Sequence, residues 1–210
     1  MINAGVLTFR EFVMNEPLPL ATIQESVLEF LRGREDAILF GAQAVNAYVK
    51  EPRMTQDIDL LSTRAEELAE ELREFLSQKF HIAVRVREIK EKGFRVYQVR
   101  KEGNRHLIDV RFVEKFPEAN TIEEIKVLSP PELIASKVIS YQSRLGKPKS
   151  GTDWRDLAVL LLTFPQFKSE TSEIAKILEN AGADEAVMNV WRRLVEQEIK
   201  LETEDDDLDY

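Results

Sequence analysis

Between Ala37 and Ser62 the chain reads as a short strand, a glycine, a helix closed by proline and a second strand carrying two aspartates, an order that only a small α/β unit accommodates. The apolar run Ala37-Ile38-Leu39-Phe40 is brief and ends at Gly41, as a buried strand breaking into a turn does. Val45, Tyr48 and Val49 recur at helical spacing. That spacing predicts a helix with those side chains inward and with Gln43, Asn46 and Lys50 outward or along the rim. Pro52 stops it. In Asp57-Ile58-Asp59-Leu60-Leu61 successive side chains point to opposite faces, so Ile58 and Leu60 share one face and the two aspartates the other.

Two neighbouring carboxylates repel unless a cation compensates them. A hard divalent ion, Mg2+ or Mn2+, takes carboxylate oxygens together with substrate phosphates, which makes Asp57 and Asp59 candidate metal ligands. Gly41 lacks a Cβ and lets a phosphate approach the backbone, and the N–H groups opening the next helix, Ala42 and Gln43 among them, form an anion seat. Arg53 and Thr55 precede the aspartates, so phosphate seat and candidate metal ligands fall within one small α/β unit. Taken singly, each motif also fits a solvated sheet edge or an ordinary turn.

The sequence before and after this unit reads as packing scaffold. Residues 1–35 read as helical, with an Ile23, Val27, Phe30, Leu31 stripe and a stop at Gly33. Thr63-x-x-Glu66 has the form of a capping box ahead of a helix burying Leu68, Leu72, Phe75 and Leu76. Three strands follow, around Ile82 to Arg87, Phe94 to Val99 and His106 to Phe112. Strict alternation puts His106, Ile108, Val110 and Phe112 on one face of the last and Leu107, Asp109 and Arg111 on the other. Asp109 interrupts an apolar run, where a charge needs a metal or an ion-pair partner; the first makes it a third ligand, the second a plain cross-strand pair.

The stretch from Phe116 to Ser129 marks a passage from sheet to helices, and Ser129-Pro130-Pro131-Glu132 opens a helix burying Leu133, Ile134, Val138 and Tyr141. Lys137 falls inside that stripe and requires either an anion, such as a triphosphate, or a route for its amine to water. A polar loop from Gln142 to Gly151 offers Arg144, Lys147 and Lys149 to phosphate. Asp153 reads as the cap of the next helix and Asp156 as a support orienting Lys137. Two more amphipathic helices follow, the second after an Asp184 cap. His81 and His106 read as lone structural residues.

Composition adds exclusions. With no cysteine, disulfides and thiolate metal sites are ruled out, and no apolar run is long enough for a membrane span, so the expected location is the cytoplasm. The formal charge of −9 opposes a large nucleic-acid footprint, although acidity concentrates in residues 201–210, which read as a disordered tail. Basic residues gather between Arg85 and Arg105, either as a solvated sheet face or as a contact for an acceptor or RNA.

Gly41-Ala42, then about a dozen residues, then Thr55-Gln56-Asp57-Ile58-Asp59-Leu60, together with Pro-x-x-Leu-Ile-Ala-x-Lys ending at Lys137, resemble the nucleotidyltransferases of the DNA polymerase β type. Within them the chain is most similar to the AbiEii-like abortive-infection toxins. The resemblance implies an α/β (α+β) fold, a mixed sheet with flanking helices followed by a C-terminal helical bundle. The corresponding divisions are 1–35 N-terminal helical, 36–116 α/β core, 117–200 helical and 201–210 tail. It implies Mg2+ or Mn2+ on Asp57, Asp59 and Asp109, with Lys137 completing the catalytic group and Gly41, Ala42, Gln43, Arg53, Thr55, Arg144 and Asp156 at the nucleotide. The implied reaction moves a nucleoside monophosphate from an NTP, ATP included, to a hydroxyl on tRNA or protein, with a cognate antitoxin as partner. Ala42 departs from the usual Gly or Ser, removing a hydroxyl while keeping the N–H. A fold that binds nucleotide without turnover, as antitoxin or sensor, and a small aminoglycoside-like acceptor therefore stay open.

Overall fold

The computed structural model describes residues 16, 18–90 and 92–200, and the expectations for residues 1–15 and for the acidic tail lie outside them. The chain divides into two units, 1–129 and 130–210. In the first, α1 (Leu20–Leu31) precedes β1 (Ile38–Phe40), α2 (Gly41–Tyr48), β2 (Ile58–Ser62) and α3 (Ala65–Phe80). Then come β3 (Val84–Ile89), β4 (Gly93–Gln98), β5 (Arg105–Phe112), β6 (Ala119–Ile122) and β7 (Ile125–Leu128).

The seven strands make one mixed sheet in the order β3-β4-β5-β2-β1-β7-β6. β2 pairs parallel with β5 and β1 parallel with β7, the other contacts being antiparallel. Helix α3 packs on β2 to β5 through Leu68, Leu72 and Leu76, all fully buried, over the face that carries Ile58, Leu60, Ile108 and Val110. By alternation Asp59 and Asp109 point the other way.

Three local readings are corrected here. Thr63 and Glu66 form no capping box: α3 starts after Arg64 with no side-chain cap, and Ser62 Oγ instead accepts from the Arg64 N–H at 3.1 Å. The sheet does not end at Phe116, because β6 and β7 continue it to Leu128. Their turn is Glu123-Glu124, both at positive φ (48° and 65°), a hairpin without the Asn-Gly signal that would have announced it. Gln43 and Asn46 are buried rather than outward, since each finds a hydrogen-bond partner inside.

The second unit holds α4 (Pro130–Ser143), α5 (Lys149–Thr163), a short 3-10 turn (Pro165–Phe167), α6 (Glu173–Asn180) and α7 (Glu185–Glu196). Leu133, Ile134, Val138, Leu157, Leu160, Leu161, Ile174, Leu178 and Trp191 form its core. Asp184 caps α7, its carboxylate accepting from the Val187 N–H at 2.9 Å. The loop after α4 is shorter than the sequence implied: α5 begins at Lys149, so Asp153 is no cap but lies inside the helix. No helix among the described residues is long and apolar enough to cross a membrane.

Candidate active site

One row of paired residues crosses five strands of the sheet: Arg87, Arg95, Asp109, Asp59 and Phe40. Asp59 and Asp109 are direct neighbours on the parallel strands β2 and β5, and Asp57 lies one residue before β2. The aspartates predicted from alternation are therefore brought together.

Gly41 follows Phe40 in this row and opens α2 with φ at +71°. An added Cβ would stand 2.2 Å from Asp59 Oδ2, so the glycine is required twice, for its backbone and for the carboxylate packed against it. No side chain caps α2, which leaves the first N–H groups of the helix, those of Ala42 and Gln43 included, to be satisfied by something other than a capping side chain.

Asp109 is buried and receives three hydrogen bonds. Arg95 donates from Nε to Oδ1 and from Nη2 to Oδ2, both at 2.8 Å, and His106 Nε2 stands 2.9 Å from Oδ1. The cross-strand ion pair considered for Asp109 thus exists, with Arg95. Burial alone would raise the Asp109 pKa, but Arg95 and His106 hold it well below the usual carboxylate range.

His106 is the residue that alternation misplaced. Val96 pairs with Ile108 while Tyr97 pairs with His106, so Leu107 is an extra residue, a β-bulge that rotates His106 onto the carboxylate face. Its Nδ1 lies 3.1 Å from Asp57 Oδ2, and the ring joins Asp57 to Asp109. Burial would lower its pKa; hydrogen bonds to Asp109 and Asp57 outweigh that and push it up to about 9. Nothing in the sequence pattern announces the bulge. Arg95, by contrast, could have been found by registering the β4–β5 hairpin on Asp109.

The residues placed at the nucleotide around the β2 entry are tied mainly to one another. Gln43 Nε2 donates to Thr55 Oγ1 at 2.7 Å, and Gln24 of α1 reaches the Thr55 carbonyl at 3.1 Å. Asn46 and the Arg53 backbone bond reciprocally, at 2.8 and 3.0 Å. These bonds clamp the loop leading to Asp57. Gln24, which sequence reasoning passed over, joins α1 to that clamp.

In the second unit, Lys137 is buried and meets Asp156 at 2.6 Å, with Asp153 at 3.8 Å, and Arg144 reaches Asp153 at 2.8 Å. The Lys137 amine is thus held in the interior by Asp156 rather than reaching water. Of the basic run, Arg100 and Arg105 pair with Glu16, whereas Arg85 and Arg87 lie exposed on the edge strand β3.

The donors suit a hard or borderline divalent ion. Asp57, His106 and Asp109 each offer a ligand atom, all within 4.8 Å of one another, and Asp59 adjoins Asp109.

A mixed sheet with in-register carboxylates on adjacent parallel strands beside a glycine-opened helix defines a nucleotidyltransferase. The profile described as "Nucleotidyl transferase AbiEii toxin, Type IV TA system" matches residues 26–209. The chain belongs to this family of nucleotidyltransferase toxins. Its fold is similar to that of the Megavirus polyadenylate synthase, with 15% identity and a TM-score of 0.57 over 70% of this chain. The chain spans only 32% of that enzyme's length. It is also similar to JHP933 from Helicobacter pylori, with 12% identity and a TM-score of 0.51 over 90% of both chains. No curated protein matches it by sequence.

Proposed function

We propose that this nucleotidyltransferase moves a nucleoside monophosphate from an NTP to an acceptor hydroxyl on tRNA or protein, as the toxin of a pair held in check by a cognate antitoxin. The observation that carries the reaction is the register of Asp59 beside Asp109, with Gly41 packed on Asp59 at the mouth of α2. Asp57 and Asp59 would hold Mg2+ or Mn2+, with Asp109 adjoining them on β5. When bound, such an ion neutralises phosphate charge and aligns the attacking and leaving oxygens.

The chain's own residues position the rest. Backbone N–H groups of Gly41, Ala42 and Gln43 seat phosphate at the helix terminus; Ala42 contributes through its N–H alone, so the missing hydroxyl weakens this seat without removing it. The clamp of Gln24, Gln43, Asn46 and Thr55 fixes the loop that delivers Asp57, with the Arg53 backbone held by Asn46 midway along it. Within the second unit, an anion reaching Lys137 would compete with Asp156 for its ammonium. The acceptor oxygen bonds to the α-phosphorus, the bond to pyrophosphate breaks, and the hydroxyl proton passes to water. Positioning and charge neutralisation supply most of the acceleration in such transfers.

The test incubates the protein with each α-labelled NTP, Mg2+ or Mn2+, and total RNA or cell extract. Label entering RNA or protein in a divalent-ion-dependent way is the expected result, and Asp57→Asn should reduce it at least about a thousandfold while leaving the circular dichroism spectrum unchanged. Transfer retained by Asp57→Asn would overturn the site. Ion-dependent NTP binding with no transfer to any acceptor would leave a binding module instead.

A further inference from the structure

Asp109 is an unusual choice for a direct metal ligand here, because both of its oxygens already accept from Arg95 and one also faces His106. Such a carboxylate is engaged as an orienting group. The ring it orients has a second nitrogen, and that nitrogen, Nδ1, lies 3.1 Å from Asp57 Oδ2. Two adjacent ligands of an octahedral ion with bonds of about 2.1 Å stand roughly 3 Å apart, so the Nδ1–Oδ2 hydrogen bond already holds the two atoms at a spacing an ion can bridge. A ligating histidine ordinarily donates its other ring N–H to a carboxylate, which fixes tautomer and orientation.

We propose that His106 is a metal ligand of this site. It binds the divalent ion through Nδ1 alongside Asp57 and Asp59, while Asp109 acts through the Nε2–H rather than by direct coordination. The β-bulge at Leu107 is the device that makes this arrangement, since regular pairing would aim the imidazole at the opposite face. On binding, the Nδ1 proton leaves to solvent and the ion takes its place, with Nε2–H···Oδ1 retained. An imidazole among carboxylates shifts preference from Mg2+ toward Mn2+ and later first-row ions. The proposal rests on reading the carboxylate face as the ion site, and it concerns only which side chains complete that site.

The experiment uses the full chain freed of metal and titrated with Mn2+ alone, without nucleotide. Loss of the free Mn2+ electron paramagnetic resonance signal gives the dissociation constant, and electron spin echo modulation detects a coordinated imidazole nitrogen. The chain has two histidines, so His81→Gln leaves His106 as the one imidazole. The expected result is nitrogen modulation from bound Mn2+ in His81→Gln, lost in His106→Ala together with a large drop in affinity. Asp109→Asn should keep the modulation while weakening binding about 10- to 100-fold, as removal of a group behind a ligand does. If His106→Ala fails to fold, the signal in His81→Gln decides alone. Mn2+ bound without nitrogen modulation in His81→Gln would overturn the proposal and leave the carboxylate site standing. Mn2+ bound equally by the parent chain and by Asp57→Asn would overturn both.

Discussion

Gly41 carries two constraints, a left-handed backbone and a carboxylate where a side chain would be, and no other residue type meets both. Gly41→Ala should therefore move Asp59, lowering transfer at least about a hundredfold and stability by about 1–3 kcal/mol, read from initial rates and from the urea midpoint. His106 supplies a pH signature. Its pKa of about 9 in the folded chain exceeds the ordinary 6.5. The stabilisation is thus complete below about pH 6.5, falls as pH rises, and is gone above about 9. Urea midpoints measured in EDTA across that window should fall with pH, and His106→Gln should flatten the slope. Asp57, Asp59 and Asp109 were legible because period-2 alternation held for them. The same rule failed at His106, where one inserted residue reverses the face and leaves no mark in composition or hydropathy.

The helices α4 and α5 of the second unit are joined by charge as well as by apolar contact. Lys137 and Asp156 sit almost wholly out of water, so removing one partner strands the other's charge in the interior. Lys137→Met should cost about 3–5 kcal/mol by urea unfolding, and adding Asp156→Leu should recover most of it. An additive loss in the double variant would show that the pair is not the source. The sequence revealed α4 and its inward lysine, but it placed Asp153 at a helix start because polar residues from Gln142 to Gly151 look like loop. Arg144 and Lys137 pair with Asp153 and Asp156 inside the unit, and the helix begins four residues ahead of Asp153, at Lys149. On α2, Gln43 and Asn46 were read as outward or rim because polar residues usually are; their hydrogen bonds to Thr55 and Arg53 of the loop before β2 allow their burial.

The sheet as assembled gathers Asp57, Asp59 and Asp109 at one place on a chain that already carries −9. Ion loading should accordingly stabilise the folded chain. At a hundredfold excess over the dissociation constant the gain is about 2.7 kcal/mol, roughly 5–10 °C in Tm for a chain of this size. Differential scanning fluorimetry with Mn2+ should show the rise, EDTA should reverse it, and Asp57→Asn should abolish it. The strand-glycine-helix-strand unit and its partner β5 were readable from periodicity, whereas β6 and β7 were not, being four residues each with an acidic turn. Yet β7 is what flanks β1 on the side away from β2, through the pairing of Leu39 with Val127. The glycine turn is therefore made well before the strand that pairs with β1 and completes its flank. Fragments ending ahead of Ile125 should present β1 as an open, aggregation-prone edge, read as oligomers by size-exclusion chromatography where the full chain gives none.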